Sequence, residues 1–164
     1  MQRSLASWGD GLMRILITNG EGVAGAVIRW WTWSWAAHAA LMLDDGWVLD
    51  ATPAHGVSIH RTVSGDVRRV FRVKCEREVE AAVARWAAGQ VGKPYDWSAI
   101  AGIPFRRNWR QPGEWFCSEL VASAFEAAAF PLLRTSHLNR VTPRDLLLSP
   151  YLVECPAQPS DARS

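Results

Sequence analysis

The chain has 164 residues, of which 49% are hydrophobic and 21% charged, and it carries a net charge of +2. That is the length of one domain, with enough apolar residues to build a core, and it excludes a disordered chain. The charge is small, and the arginine doublets Arg68-Arg69 and Arg106-Arg107 stand far apart, so no nucleic-acid partner is expected.

Cys75, Cys117 and Cys155 are odd in number and widely spaced. This is neither a disulfide framework nor a zinc pattern, so no metal or other cofactor is expected. Met1–Asp10 lacks the apolar core of a secretory signal. The expected location is the cytoplasm, or outside it by a route that needs no leader, such as a phage particle or a secretion system. Val23–Leu43 is apolar but interrupted by Arg29 and His38, so no membrane span is expected.

Met13–Thr18 reads as a first strand and Asn19-Gly20 as its turn. Gly22–Trp31 follows as a short helix. The ten tryptophans include four in Trp30-Trp31-Thr32-Trp33-Ser34-Trp35, read as an extended or loop segment. Such a cluster suits a groove wall or an interfacial belt, and it equally suits a Trp-rich core edge, which is the plainer reading.

Ala36–Leu43 is the second strand, Asp44-Asp45-Gly46 a turn, and Trp47–Thr52 the third strand. A three-residue loop with Gly46 left-handed sets Leu43 opposite Trp47 and Ala40 opposite Asp50. His38 and Asp50 then share a face as diagonal neighbours, roughly 7–8 Å apart at the backbone. A two-residue turn would put them on opposite faces. The apolar pattern selects the first register, because Ala39, Leu41, Leu43, Trp47, Leu49 and Ala51 then form one greasy face. His38, Asp50 and Thr52 lie on the other.

Pro53–Gly56 is a turn, and Val57–Arg61 and Val67–Lys74 are further strands. Glu76–Val91 is an amphipathic helix stopped by Gly92-Lys93-Pro94-Tyr95-Asp96. Trp97–Pro104 is short and apolar, and Phe105–Gly113 is a basic loop. In Glu114-Trp115-Phe116-Cys117-Ser118-Glu119-Leu120-Val121, helical spacing starts at Leu120 and continues through Val121, Ala124, Phe125 and Ala128, up to Pro131. Cys117 therefore sits at the first turn of a buried helix, where free N–H groups and the positive end of the dipole favour an anion. A nucleophilic thiol needs that placement. A small core residue fits the same position equally well. His137–Arg140 is a loop, Thr142–Leu147 a short capped helix, Tyr151–Cys155 a last strand, and Pro156–Ser164 a polar tail. Strands first and helices later give an α+β fold with an antiparallel sheet packed against the cysteine helix.

A thiolate needs a base, and the base needs an acceptor to orient it. Of the four histidines, His55 and His60 lie in or beside a turn and read as exposed. His137 is only twenty positions past Cys117, with most of that length spent on the helix. His38, inside an apolar strand, is the candidate base, and Asp50 its orienter. A satisfied core histidine is the competing reading of His38.

These residues carry a resemblance. Ile15–Gly20, Val27–Trp30, the histidine strand Ser34–Leu41, Val48–Ala51 with Gly56-Val57, Gly92–Asp96, and Cys117-Ser118-Glu119-Leu120-Val121 occur in that order. Together they resemble the YaeF/YiiX group of circularly permuted papain-like proteins in the NlpC-type superfamily, over about Ile15–Leu152. In ordinary papain-like folds the cysteine helix precedes the histidine strand, and here it follows. The resemblance implies one permuted papain-like domain over 1–164, with its core at about 11–155. It implies a Cys117–His38 pair with Asp50 as third member, where the family often has glutamate. Thr52 is the alternative orienter. Tyr95 is a candidate site-lining or oxyanion-side hydroxyl, with Trp35 and Trp115 as further candidate substrate contacts. The implied activity is a cysteine hydrolase or acyltransferase acting on a peptide or isopeptide amide, such as cell-wall peptide, or on a lipid acyl group. Two rivals remain: a catalytically silent peptide- or lipid-binding module, and a component of a larger assembly.

Overall fold

The computed structural model describes residues 13–43, 46–97, 113–134 and 141–156. Trp97 apart, the Trp97–Pro104 segment lies outside the described residues, as do the Phe105–Gly113 loop up to residue 112, the His137–Arg140 loop, Asp44-Asp45 and both termini.

The strands are β1 (Arg14–Thr18), β2 (His38–Met42), β3 (Val48–Thr52), β4 (Gly56–His60), β5 (Val67–Val73) and β6 (Leu152–Cys155). They form one sheet in the order β4-β3-β2-β1-β5-β6, with every pair antiparallel. The helices are α1 (Gly22–Thr32), α2 (Arg77–Ala88), α3 (Cys117–Ala127) and α4 (Pro143–Leu146). The architecture is thus α+β around an antiparallel sheet.

The central strands read as continuous apolar runs because both their faces are covered. On one face Ile15, Ile17, Ala39, Leu41, Leu49 and Ala51 pack with Val83 and Ala87 of α2 and Leu120, Val121, Ala124 and Phe125 of α3. On the other, Leu16, Ala40, Met42, Val48, Val63 and Val70 form a smaller cluster. The β2–β3 register follows from this division. Leu41 pairs with Leu49 and Met42 with Val48. Leu43 N–H donates to the Trp47 carbonyl at 2.7 Å, and Gly46 has a left-handed φ of 74°. A slip of one residue would carry Leu41 and Leu49 out of the main core and Asp50 into it.

Two connections place α3. Gly92–Asp96 closes over β4: Val57 N–H donates to the Lys93 carbonyl and Gly92 N–H to the Val57 carbonyl, both at 2.9 Å. Gly56 is required there, because its φ is +64° and an added Cβ would stand 2.4 Å from the Lys93 oxygen. The same segment pairs with the approach to α3. Trp115 N–H donates to the Pro94 carbonyl and Asp96 N–H to that of Trp115, both at 3.1 Å. In the first turn of α3, Ser118 Oγ donates to the Val141 carbonyl at 2.6 Å. Thr142 and Asp145 then cap α4 reciprocally.

Two expectations need correcting. The second helix ends at Ala88 rather than Val91, because β4 takes the Gly92 N–H and Lys93 Nζ holds Gln90 Oε1 at 2.6 Å. The tryptophan cluster is neither wholly extended nor a core edge. Trp30 and Trp31 lie in the last turn of α1, and Trp33 terminates it in the left-handed conformation with its indole 88% exposed. Trp30, Trp31 and Trp35 are exposed as well. The inner face of α1 is already filled by Gly25 and Ile28, so the indoles have nothing left to bury against.

Candidate active site

Cys117 is the first residue of α3, and Phe116 before it is extended. The first helical bond runs from Leu120 N–H to the Phe116 carbonyl at 2.9 Å. The N–H of Cys117 therefore has no carbonyl partner within the helix. The side chain is 1% exposed.

His38 begins β2 and is buried. Its Nε2 lies 2.7 Å from Oδ2 of Asp50, which is fully buried in β3. An ionised carboxylate only accepts, so His38 carries its ring proton on Nε2. Nδ1 is then the nitrogen that can take the thiol proton. Burial by itself pulls the His38 pKa down. The charge of Cys117 and then that of Asp50, with a hydrogen bond to each, outweigh it and hold His38 up at about 10. Burial likewise pushes the Asp50 carboxyl up, but the positive charge and hydrogen bond of His38, followed by His60, bring it below its ordinary value. Sulfur, imidazole and carboxylate form one electrostatically coupled row.

A second histidine joins this row. His60 Nε2 lies 2.8 Å from Asp50 Oδ1. The expectation that His60 is an exposed turn residue is corrected here: it is the last residue of β4, and its side chain is 27% exposed. Its signal was present in the strand parity. Val48 pairs with His60 and Asp50 with Ser58, so in any regular β3–β4 hairpin with that register His60 lies diagonal to Asp50.

Thr52 does not serve His38. Its Oγ1 accepts from the His55 N–H at 3.3 Å, closing the turn after β3. Tyr95 is buried, with its ring edge-on to Trp97 at 5.6 Å and tilted against Phe116 at 6.0 Å. Burial, then the charges of Cys117, Asp96 and Asp50, push its hydroxyl far above the ordinary tyrosine range, so it stays a neutral phenol beside the sulfur. Trp115 does not present a surface to a ligand. It is buried edge-on against Trp86 at 5.3 Å. Trp35 is exposed, three positions ahead of His38.

No family model and no curated protein sequence matches the chain. A solved structure does: the crystal structure of the metalloprotein YiiX from Escherichia coli O157:H7, a DUF1105 protein. The TM-score is 0.69, with 17% identity over 92% of this chain and 99% of that one. The chain has the YiiX fold. Among the described residues, no helix is long and apolar enough to cross a membrane.

Proposed function

We propose that this protein is a cysteine hydrolase of the circularly permuted papain-like type, acting through an acyl-enzyme on Cys117. The 2.7 Å contact between His38 Nε2 and Asp50 carries the reading, because it leaves His38 in the tautomer a thiol requires. Cys117 Sγ gives its proton to His38 Nδ1 and attacks an amide or ester carbonyl carbon. The Cys117 N–H at the start of α3 stabilises the oxyanion. When the C–N or C–O bond breaks, His38 returns the proton to the departing nitrogen or oxygen. Water then attacks the thioester, gives one proton to His38, and releases the acid and the thiol. An acyltransferase differs only in the second acceptor. The substrate class is a peptide or isopeptide amide, or a lipid acyl group.

The solved neighbour is called a metalloprotein. Among the described residues no group of three or more His, Cys, Asp and Glu side chains is placed to hold a metal ion, and both Asp50 oxygens are taken by imidazoles. No step of the proposed reaction runs through a metal.

The test is trapping. Incubation with a p-nitrophenyl acyl ester should leave one acyl group on Cys117, seen by intact mass and peptide mapping. Cys117→Ala and His38→Ala should each abolish it. An unmodified Cys117, with the ester hydrolysed no faster than in buffer, would leave the binding module as the better reading. The depth at which Cys117 is buried is the observation that favours that alternative.

A further inference from the structure

Asp50 holds two histidines, and the proposed reaction uses one. We infer that His60 is a positioning residue for the Cys117–His38 pair: it fixes the buried Asp50 carboxylate so that Oδ2 remains on His38 Nε2. The inference rests on the hydrolase reading above and assigns a fourth member to that site.

The argument starts from what a buried aspartate needs. Asp50 is fully buried in the middle of β3. A carboxylate has two oxygens, and leaving one unpaired out of water is costly. Its terminal torsion is also soft and nearly two-fold, so one hydrogen bond does not decide which oxygen faces His38. The cross-strand neighbour does not supply the second bond: Ser58 pairs with Asp50 in register, yet its Oγ is buried without a hydrogen-bond partner. His60 supplies it from the diagonal position, at 2.8 Å. Both imidazoles therefore donate from Nε2 to one anion, and the carboxylate cannot turn without breaking a bond to one of them. The bond to Asp50 raises the His60 pKa, with burial opposing it, as expected for an imidazole bound to a carboxylate.

His60 is also placed so that it can be changed without emptying the core. Its side chain opens onto a groove of about 890 Å³, with Val27, Ile59, Val63 and Trp97 among the walls. A truncation there opens space to the groove rather than sealing a cavity.

The experiment compares His60→Ala and His60→Gln with the wild type, using iodoacetamide at pH 7 and peptide mapping of Cys75, Cys117 and Cys155 in the same sample. His60→Ala should slow Cys117 about tenfold, the effect of losing one hydrogen bond to a charged group, and leave the other two cysteines unchanged. His60→Gln keeps an N–H donor and should restore most of the rate. In the wild type, nitrogen-detected imidazole spectra should show low-field Nε2–H protons on both His38 and His60, and His60→Ala should move the His38 signal. Equal slowing of all three cysteines would mean a structural role only and overturn the inference. So would an unchanged Cys117 rate, or a wild-type spectrum without the His60 Nε2–H. A His38→Ala control separates the two failures: if it slows Cys117 while His60→Ala does not, the inference falls and the hydrolase reading stands. If neither variant slows Cys117, both fall.

Discussion

Replacing His38 by alanine removes the base proposed for Cys117. Exposure alone ranks the cysteines against function, since Cys75 and Cys155 are partly exposed and Cys117 is buried. The groups around each sulfur rank them the other way. Burial and then Glu80 push the Cys75 thiol up to about 11, so at pH 7 roughly one Cys75 in ten thousand is a reactive thiolate. His38, held up at about 10, keeps at pH 7 the proton it takes from the thiol in the proposed reaction, and such positioned proton transfer contributes about 10²–10⁴-fold. For a buried sulfur the lower end, about 100-fold, is the expected gain. Iodoacetamide at pH 7, quenched over time and read by peptide mapping, should therefore label Cys117 about 100 times faster than Cys75. In His38→Ala that lead should vanish. A Cys117 slower than Cys75, with the same rate in both proteins, would refute the reasoning.

Asp50→Ala strands two imidazole donors in the interior and should destabilise the protein by about 3 kcal/mol in urea titration, whereas Thr52→Val, losing one turn contact, should cost less than about 1 kcal/mol. Equal losses would return Thr52 to the role of orienter. Because the folded His38 pKa lies above its unfolded value near 6.5, the stability it contributes is complete below about pH 6.5 and is lost as the pH rises through about 10. Asp50, depressed in the folded state, contributes stability above about pH 4 that is lost as the pH falls through its folded value. Melting temperatures should thus fall between pH 6.5 and 10 in the wild type and stay flatter there in His38→Ala. Gly56→Ala meets both a positive φ and the Lys93 carbonyl, and should cost about 2 kcal/mol or more in chemical denaturation. The matching Gly92→Ala, with a φ of +88° but open space around it, should cost less.

The sequence by itself determined the strands, the β2–β3 register and the cysteine at a helix start. These follow from local rules: alternation along a strand, a left-handed glycine in the turn, and 3.6-residue spacing after Cys117. With the register settled, His38 and Asp50 had to share a face. The order of histidine strand before cysteine helix was legible for the same reason. What only the tertiary structure decided depends on distances between segments far apart in the chain. It chose Asp50 over Thr52, since a hydrogen bond needs a direction as well as a shared face. It buried Trp115 against Trp86 and exposed the Trp30–Trp35 cluster, since burial depends on what the opposite surface has already filled. It also brought His60 to Asp50. Sequence parity held that pairing, but a polar residue near a turn gave no local reason to follow it. Only a buried carboxylate with a second oxygen to satisfy makes His60 part of the site.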